Sequence, residues 1–212
     1  MLLHIDVISD VICPWCYVGK RRFEKAIAAL DRQHEVRVRW LPLQLNPTMP
    51  KDGISRRDYR TKKSGSWERS LELDAQMAAA GEAEGIHFAF DRTERTPNTL
   101  DAHRLIWQAD QQGIQDAVME ALFRAYFTKG RDISTRQALI DVVAEAGLDR
   151  KRAEAVLNGD EGMDAIKEAE GLARQRRVDG VPFFIINGKI TLGGAQPPEA
   201  FLEAFGRLDG GA

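Results

Sequence analysis

The chain has 212 residues, 43% of them hydrophobic and 8% aromatic, which bounds it as globular and between one large domain and two small ones. Its 30 basic and 32 acidic residues leave a net charge of −2, so there is no field to draw in nucleic acid or an anionic membrane surface. The longest apolar run near the C-terminus, Val181 to Ile186, is far too short to span a bilayer.

Leu2 to Ile8 reads as a short apolar strand. No basic-then-apolar leader with a small-residue cleavage site precedes it, so a cytoplasmic location is expected. An amphipathic helix follows, with Phe23, Ile27 and Leu30 at i, i+4 and i+7 and with Lys20, Arg21, Arg22 and Lys25 on other faces. Val36, Val38 and Trp40 alternate with Arg37, Arg39 and Leu41 as a second strand, which Pro42, Pro47 and Pro50 bring to an end.

From Ile54 to Arg177 almost every segment has helical periodicity. Leu71, Ala75, Ala78 and Ala79 trace one stripe, Ala102, Leu105, Ile106 and Ala109 another, and Val118, Leu122, Ala125 and Tyr126 a third. Trp67, Trp107, Phe123 and Tyr126 are expected in the core of this block. Strand chemistry resumes at Val181 to Ile186, turns through Asn187-Gly188, a strong hairpin signal, and returns as Lys189 to Leu192. Pro197-Pro198 then opens a last helix that buries Phe201, Leu202, Phe205 and Leu208.

The order is therefore β-α-β, a long helical block, then α-β-β-α. The fold class is α/β. Residues 1–50 and 162–212 are expected to close into one sheet-and-helix unit, with residues 51–161 inserted as an all-helical domain whose ends lie close together.

Cys13-Pro14-Trp15-Cys16 holds both cysteines of the chain, where the first strand gives way to the first helix. With Cys13 as N-cap and Pro14 at the first helical position, the Cys13 sulfur faces the unpaired N–H groups of the helix terminus, which favour the thiolate. Asp10, three residues upstream, opposes that preference if it lies close. A zinc site would need four ligands, and His4, His34, His87 and His103 show no His-x3–5-His spacing or second cysteine pair. A structural disulfide across so short a loop would remove little unfolded-state entropy. A redox-active dithiol is the chemistry these residues fit.

With Val181-Pro182 opening the third strand, the arrangement resembles the DsbA family of thioredoxin-fold dithiol–disulfide oxidoreductases, and within it the FrnE-like branch. The likeness runs along essentially the whole chain, through Ile8 to Lys20, Thr96 to Arg104, Gly180 to Phe184 and Gly193 to Pro197. It implies Cys13 as the attacking sulfur, Cys16 as the resolving one, and a cis Pro182 against the dithiol. It also implies a substrate surface made of Pro14, Trp15, Val181 and Pro182, with the Val181 backbone pairing to substrate as an added strand. Protein or small-molecule disulfides and thiols, glutathione among them, are the implied partners; no bound cofactor and no metal are implied. Family members often carry a buried acid six residues before the nucleophile, where this chain has Val7; Asp6 and Asp10 are the neighbouring acids.

Beside the dithiol, Trp15 and Tyr17 are expected as groove walls. Asn98, His103 and Arg104 could face the groove from the insertion, although Asn98 as a helix cap and His103 as a buried hydrogen-bonded side chain are the simpler accounts. Two other functions fit the same scaffold. Kappa-class glutathione transferases and 2-hydroxychromene-2-carboxylate isomerases resemble the chain in fold and insertion but have serine at the position of Cys13, and the acidic contact to glutathione falls at Gln196 here. A non-catalytic peptide-binding chaperone would hold peptide without either cysteine.

Overall fold

The computed structural model describes residues 2–30 and 34–209. In chain order, β1 (Leu2–Ser9), α1 (Pro14–Ala28) and β2 (Glu35–Pro42) come first. The central block contains β3 (Ile54–Ser55), α2 (Arg56–Ser64), α3 (Trp67–Glu82), β4 (Arg95–Thr96), α4 (Leu100–Asp110), α5 (Gln115–Phe123), α6 (Arg136–Glu145) and α7 (Arg150–Asn158). The chain closes with α8 (Met163–Gln175), β5 (Phe183–Ile186), β6 (Ile190–Gly193) and α9 (Pro198–Asp209).

One four-stranded sheet runs in the order β2-β1-β5-β6. β1 pairs in parallel with β2, from Leu2 opposite Glu35 to Ser9 opposite Pro42, and antiparallel with β5, from Ile5 opposite Ile186 to Ile8 opposite Phe183. The β5–β6 hairpin turns at Asn187 and Gly188, both at positive φ (49° and 67°), which is the backbone an Asn-Gly turn supplies at least cost.

Alternation along β1 then builds two layers. Leu3, Ile5 and Val7 belong to the main core, where the rings of Phe23 in α1, Phe184 in β5 and Phe201 in α9 meet with centroids 4.8–5.4 Å apart. Ile8 and Ile185 instead join a smaller cluster with Ala173 of α8 and Val178. The sheet is thus covered on both faces.

The central block packs on β2 through α4 and α5 and on α1 through α3. Its second and third expected stripes, including Leu105, Ile106, Val118 and Leu122, are buried, and Phe123 and Tyr126 with them. The first stripe is not: Leu71 is 48% exposed, and α3 turns Ser70, Asp74, Met77 and Gly81 inward. Polar partners decide this face. Arg56 and Arg60 of α2 donate to Asp74 (2.7 and 3.2 Å) and Arg60 also to Ser70 (2.9 Å), so the acid and hydroxyl must point at α2. Trp67 and Trp107 are only half-buried, Trp67 lying beneath the Arg57 guanidinium.

Two features escape helical periodicity. β3 and β4 form a small antiparallel ribbon, with Ile54 opposite Thr96. The helix that starts at α5 continues as a π-helical turn over Arg124–Thr128, which keeps Tyr126 and Phe127 in the core.

Candidate functional site

The loop between β1 and α1 is built from its backbone outward. Cys13 N–H donates to Asp10 O at 3.0 Å and Cys16 N–H to Cys13 O at 3.0 Å, so the turn closes into the first turn of α1. Cys13 is the N-cap, with extended backbone, and Pro14 occupies the first turn, where a missing N–H costs nothing. Both cysteines are unbridged and buried, 3.6 Å apart. Across from them the Val181–Pro182 peptide bond is cis, and the Cys13 thiol donates to Val181 O at 3.5 Å.

Gly19 lets this approach happen. A Cβ at that position would lie 2.8 Å from Pro182 Cγ, so the bare glycine face of α1 is where the Pro182 ring rests.

The two sulfurs are electrically unlike. Cys13 is held below the ordinary thiol value, chiefly by a hydrogen bond from the Cys16 thiol, with smaller help from the backbone N–H groups of Cys16 and Trp15; burial and the Asp10 charge work against it. Cys16 is pushed well above that value, first by burial and then by Cys13, with Ser9 and the Asp10 backbone opposing. Helix-terminus N–H groups alone are therefore a lesser cause than the sequence suggests. An acidic, cleft-facing sulfur backed by a protonated buried one is an arrangement in which the first can attack a disulfide and the second can follow.

Of the neighbouring acids, Asp10 is the one at the dithiol. It is fully buried, accepts the Leu45 N–H at 2.7 Å, and sets Oδ1 3.3 Å from His103 Nε2, itself buried in α4. Asp6 lies on the opposite face of the sheet from Val7, partly exposed, in an ion pair with Arg39, its neighbour in register.

Pro14 and Trp15 line a cleft of about 320 Å³ together with Cys13, and Trp15 is 45% exposed. Tyr17 is not a wall. It is core, stacked on Phe123 with centroids 5.0 Å apart, its hydroxyl donating to Glu120 Oε1 at 2.9 Å. Tyr17, four positions after Cys13, shares its buried side of α1, whereas Trp15, two positions on, lies off that side.

Nor do Asn98 and Arg104 reach the cleft. Asn98 accepts the Leu100 N–H at the start of α4 and donates to Met49 O, and Arg104 donates to the Val156, Gly159 and Glu161 carbonyls at the end of α7. Sequence reasoning overlooked the opposite wall, where Arg56, Tyr59, Arg60 and Lys63 of α2 line the cleft. Their spacing of i, i+3, i+4 and i+7 was the available signal, hidden because the stripe is basic rather than apolar.

Residues 4–206 match the model of the DSBA-like thioredoxin domain. The uncharacterized protein YwbO of Bacillus subtilis is 28% identical over 206 residues, covering 97% of this chain and 96% of that protein. Among solved structures, the probable DsbA oxidoreductase SCO1869 from Streptomyces coelicolor superposes with a TM-score of 0.92 at 32% identity, covering 99% of this chain and 91% of that one. The cytosolic disulfide reductase DsbM from Pseudomonas aeruginosa, solved with GSH, shares the fold at a TM-score of 0.67 and 22% identity, covering 98% of this chain and 100% of that one.

Proposed function

The chain belongs to the DSBA-like thioredoxin domain family, and from that premise we propose that it is a dithiol–disulfide oxidoreductase in which Cys13 attacks and Cys16 resolves. One observation carries the proposal: an acidic Cys13 at the head of α1, 3.6 Å from a protonated Cys16 and 3.5 Å from the Val181 carbonyl. Cys13 thiolate attacks a substrate disulfide, the Cys13–substrate mixed disulfide forms, and Cys16 displaces the substrate thiol. Pro14, Trp15, Val181 and Pro182 form the substrate surface. The Val181 backbone pairs with an extended substrate chain as an added strand.

Under a cytoplasmic poise of about −220 mV or lower, such a pair stays mainly reduced, which favours disulfide reduction or isomerisation over net oxidation. No helix among the described residues is long and apolar enough to cross a membrane. The FrnE-like assignment within the family rests on the likeness through Ile8 to Lys20, Thr96 to Arg104, Gly180 to Phe184 and Gly193 to Pro197. A glutathione transferase role is less well supported, because both cysteines are present and Gln196, at the position of the acidic glutathione contact, is turned to Gly193 O at 2.6 Å.

Intact-mass analysis of alkylation-trapped protein, equilibrated in glutathione redox buffers, tests the proposal. Loss of two protons with a midpoint between about −270 and −120 mV is the expected outcome. A protein that stays reduced throughout, or stops at a stable single-glutathione adduct, would overturn it.

A further inference from the structure

We infer that the face of α2 opposite Cys13 is a recognition wall for small disulfides that carry carboxylates, an inference that rests on the exchange chemistry proposed for Cys13. Arg56, Tyr59, Arg60 and Lys63 share one helix face and all border the same cleft as Cys13. The face runs from buried Arg56 to exposed Lys63, and a helix face that borders a cleft is ordinarily apolar at its buried end. This one presents three cations and a phenol.

Charge is left over. The cleft lining contains one carboxylate, Asp74, and both Arg56 and Arg60 already share it, at 2.7 and 3.2 Å. Lys63 forms no ion pair among the described residues; its ammonium donates to Tyr59 OH at 3.2 Å and stands 5.4 Å from that ring's centroid. Three cations against one anion give the lining an excess of positive charge, while Leu73, Met77, Trp15 and Phe127 supply apolar wall and Gln76, Thr93 and Thr96 add only uncharged polar groups. Low-dielectric walls of this kind focus the field of an uncompensated charge into the cleft.

Size selects the class of partner. At about 320 Å³ the cleft sits at the small end of the range of about 300–1,000 Å³ that small-molecule sites occupy. A cleft of that size has room for an amino-acid disulfide, or for one half of a short-peptide disulfide such as glutathione disulfide. Carboxylates on such a molecule find Lys63 and the outer edge of Arg60 while one of its sulfurs meets Cys13.

The reaction balances without further reagents. Cys13 thiolate bonds to one substrate sulfur as the substrate S–S bond breaks, and the departing half takes up a proton as a thiol. Cys16 then loses its proton, bonds to the Cys13 sulfur and releases the second half. The protein dithiol gives up two electrons and two protons, and the substrate disulfide becomes two thiols.

The test is the single-turnover oxidation of pre-reduced protein by three disulfides of matched chain length: dithiodipropionate, hydroxyethyl disulfide and cystamine. Each rate is divided by that of the same disulfide with free dithiothreitol, which removes differences in intrinsic reactivity. The expected order is anionic over neutral over cationic, with a spread of roughly tenfold or more. It should shrink between about 10 mM and 1 M salt, as the Debye length falls from about 30 Å to about 3 Å.

Lys63→Glu, at an exposed position, should lower the anionic-to-neutral ratio, and Arg60→Gln should act in the same direction. Normalised wild-type rates within twofold of one another, or a preference indifferent to salt, would overturn the inference and leave the exchange chemistry standing. Failure of hydroxyethyl disulfide itself to oxidise the protein would remove the exchange chemistry and this inference together.

Discussion

Cys16 stands 3.6 Å from Cys13, and its thiol, as hydrogen-bond donor, is the largest single influence holding the Cys13 sulfur below the ordinary thiol value. Reactivity at Cys13 is thus created within the pair, with the helix terminus second. Cys16→Ala removes that donor while leaving Pro14 and the helix N-terminus in place. The pH midpoint for iodoacetamide labelling of Cys13 should move upward from its wild-type position. An unchanged midpoint would return the leading role to the backbone N–H groups of α1.

Packing at the cis Val181–Pro182 bond depends on an absent side chain. A methyl group at Gly19 would stand 2.8 Å from Pro182 Cγ, and neither a proline ring nor a helix backbone can give way cheaply. Gly19→Ala is expected to cost about 1–3 kcal/mol in chemical unfolding and to slow disulfide exchange by pushing Pro182 off the dithiol. Unaltered stability and exchange would mean that the two elements separate without penalty.

How much of this was legible beforehand follows from what each signal depends on. The β1–α1 turn, the Asn187-Gly188 hairpin and the stripes of α4 and α5 are written in local chemistry, and they stand where the sequence puts them. Failures came where one element's face was set by another. Leu71 is exposed because Asp74 and Ser70 are claimed by arginines of α2, a tertiary demand that α3 alone cannot reveal. Asp10 and Asp6 look alike in the sequence, yet strand register gives Asp6 to Arg39 and leaves Asp10 buried beside His103. The basic face of α2 was spaced like a core stripe and passed over for its charge.

Tyr17 offers a check on that division between core and groove. Its ring stacks on Phe123 and its hydroxyl joins Glu120 and Arg21, which together with the buried Lys20 tie α1 to α5. Tyr17→Phe keeps the ring and deletes the hydroxyl. A loss of about 0.5–1.5 kcal/mol in unfolding free energy is expected, with the exchange rate held near wild type. A large fall in exchange at constant stability would put Tyr17 back in the groove.

The buried Cys16 makes the reduced protein sensitive to alkaline pH. Its folded value lies above the unfolded thiol value of about 8.5, so its contribution to stability is complete below that pH and is lost as the pH rises toward the folded value. Cys13, shifted the other way, contributes fully above about pH 8.5 and loses that contribution as the pH falls through its folded value. Urea midpoints of reduced minus disulfide-bonded protein should therefore climb from acid pH, pass a maximum near about pH 8.5 and then decline. A difference that keeps rising above that maximum would mean Cys16 ionises freely in the folded state.

Asp10 acts on Cys13 in the direction opposite to Cys16, since a carboxylate that close disfavours a second negative charge. Asn at position 10 keeps an oxygen for the Leu45 N–H and an atom of similar size to face His103 Nε2, so the shape and the Leu45 bond survive the change. What disappears is the charge. Asp10→Asn should move the Cys13 labelling midpoint downward and, by stabilising the reduced thiolate form, make the pair a stronger oxidant in glutathione buffers. A midpoint that stays where it was would mean that the Asp10 carboxylate exerts no field at the Cys13 sulfur.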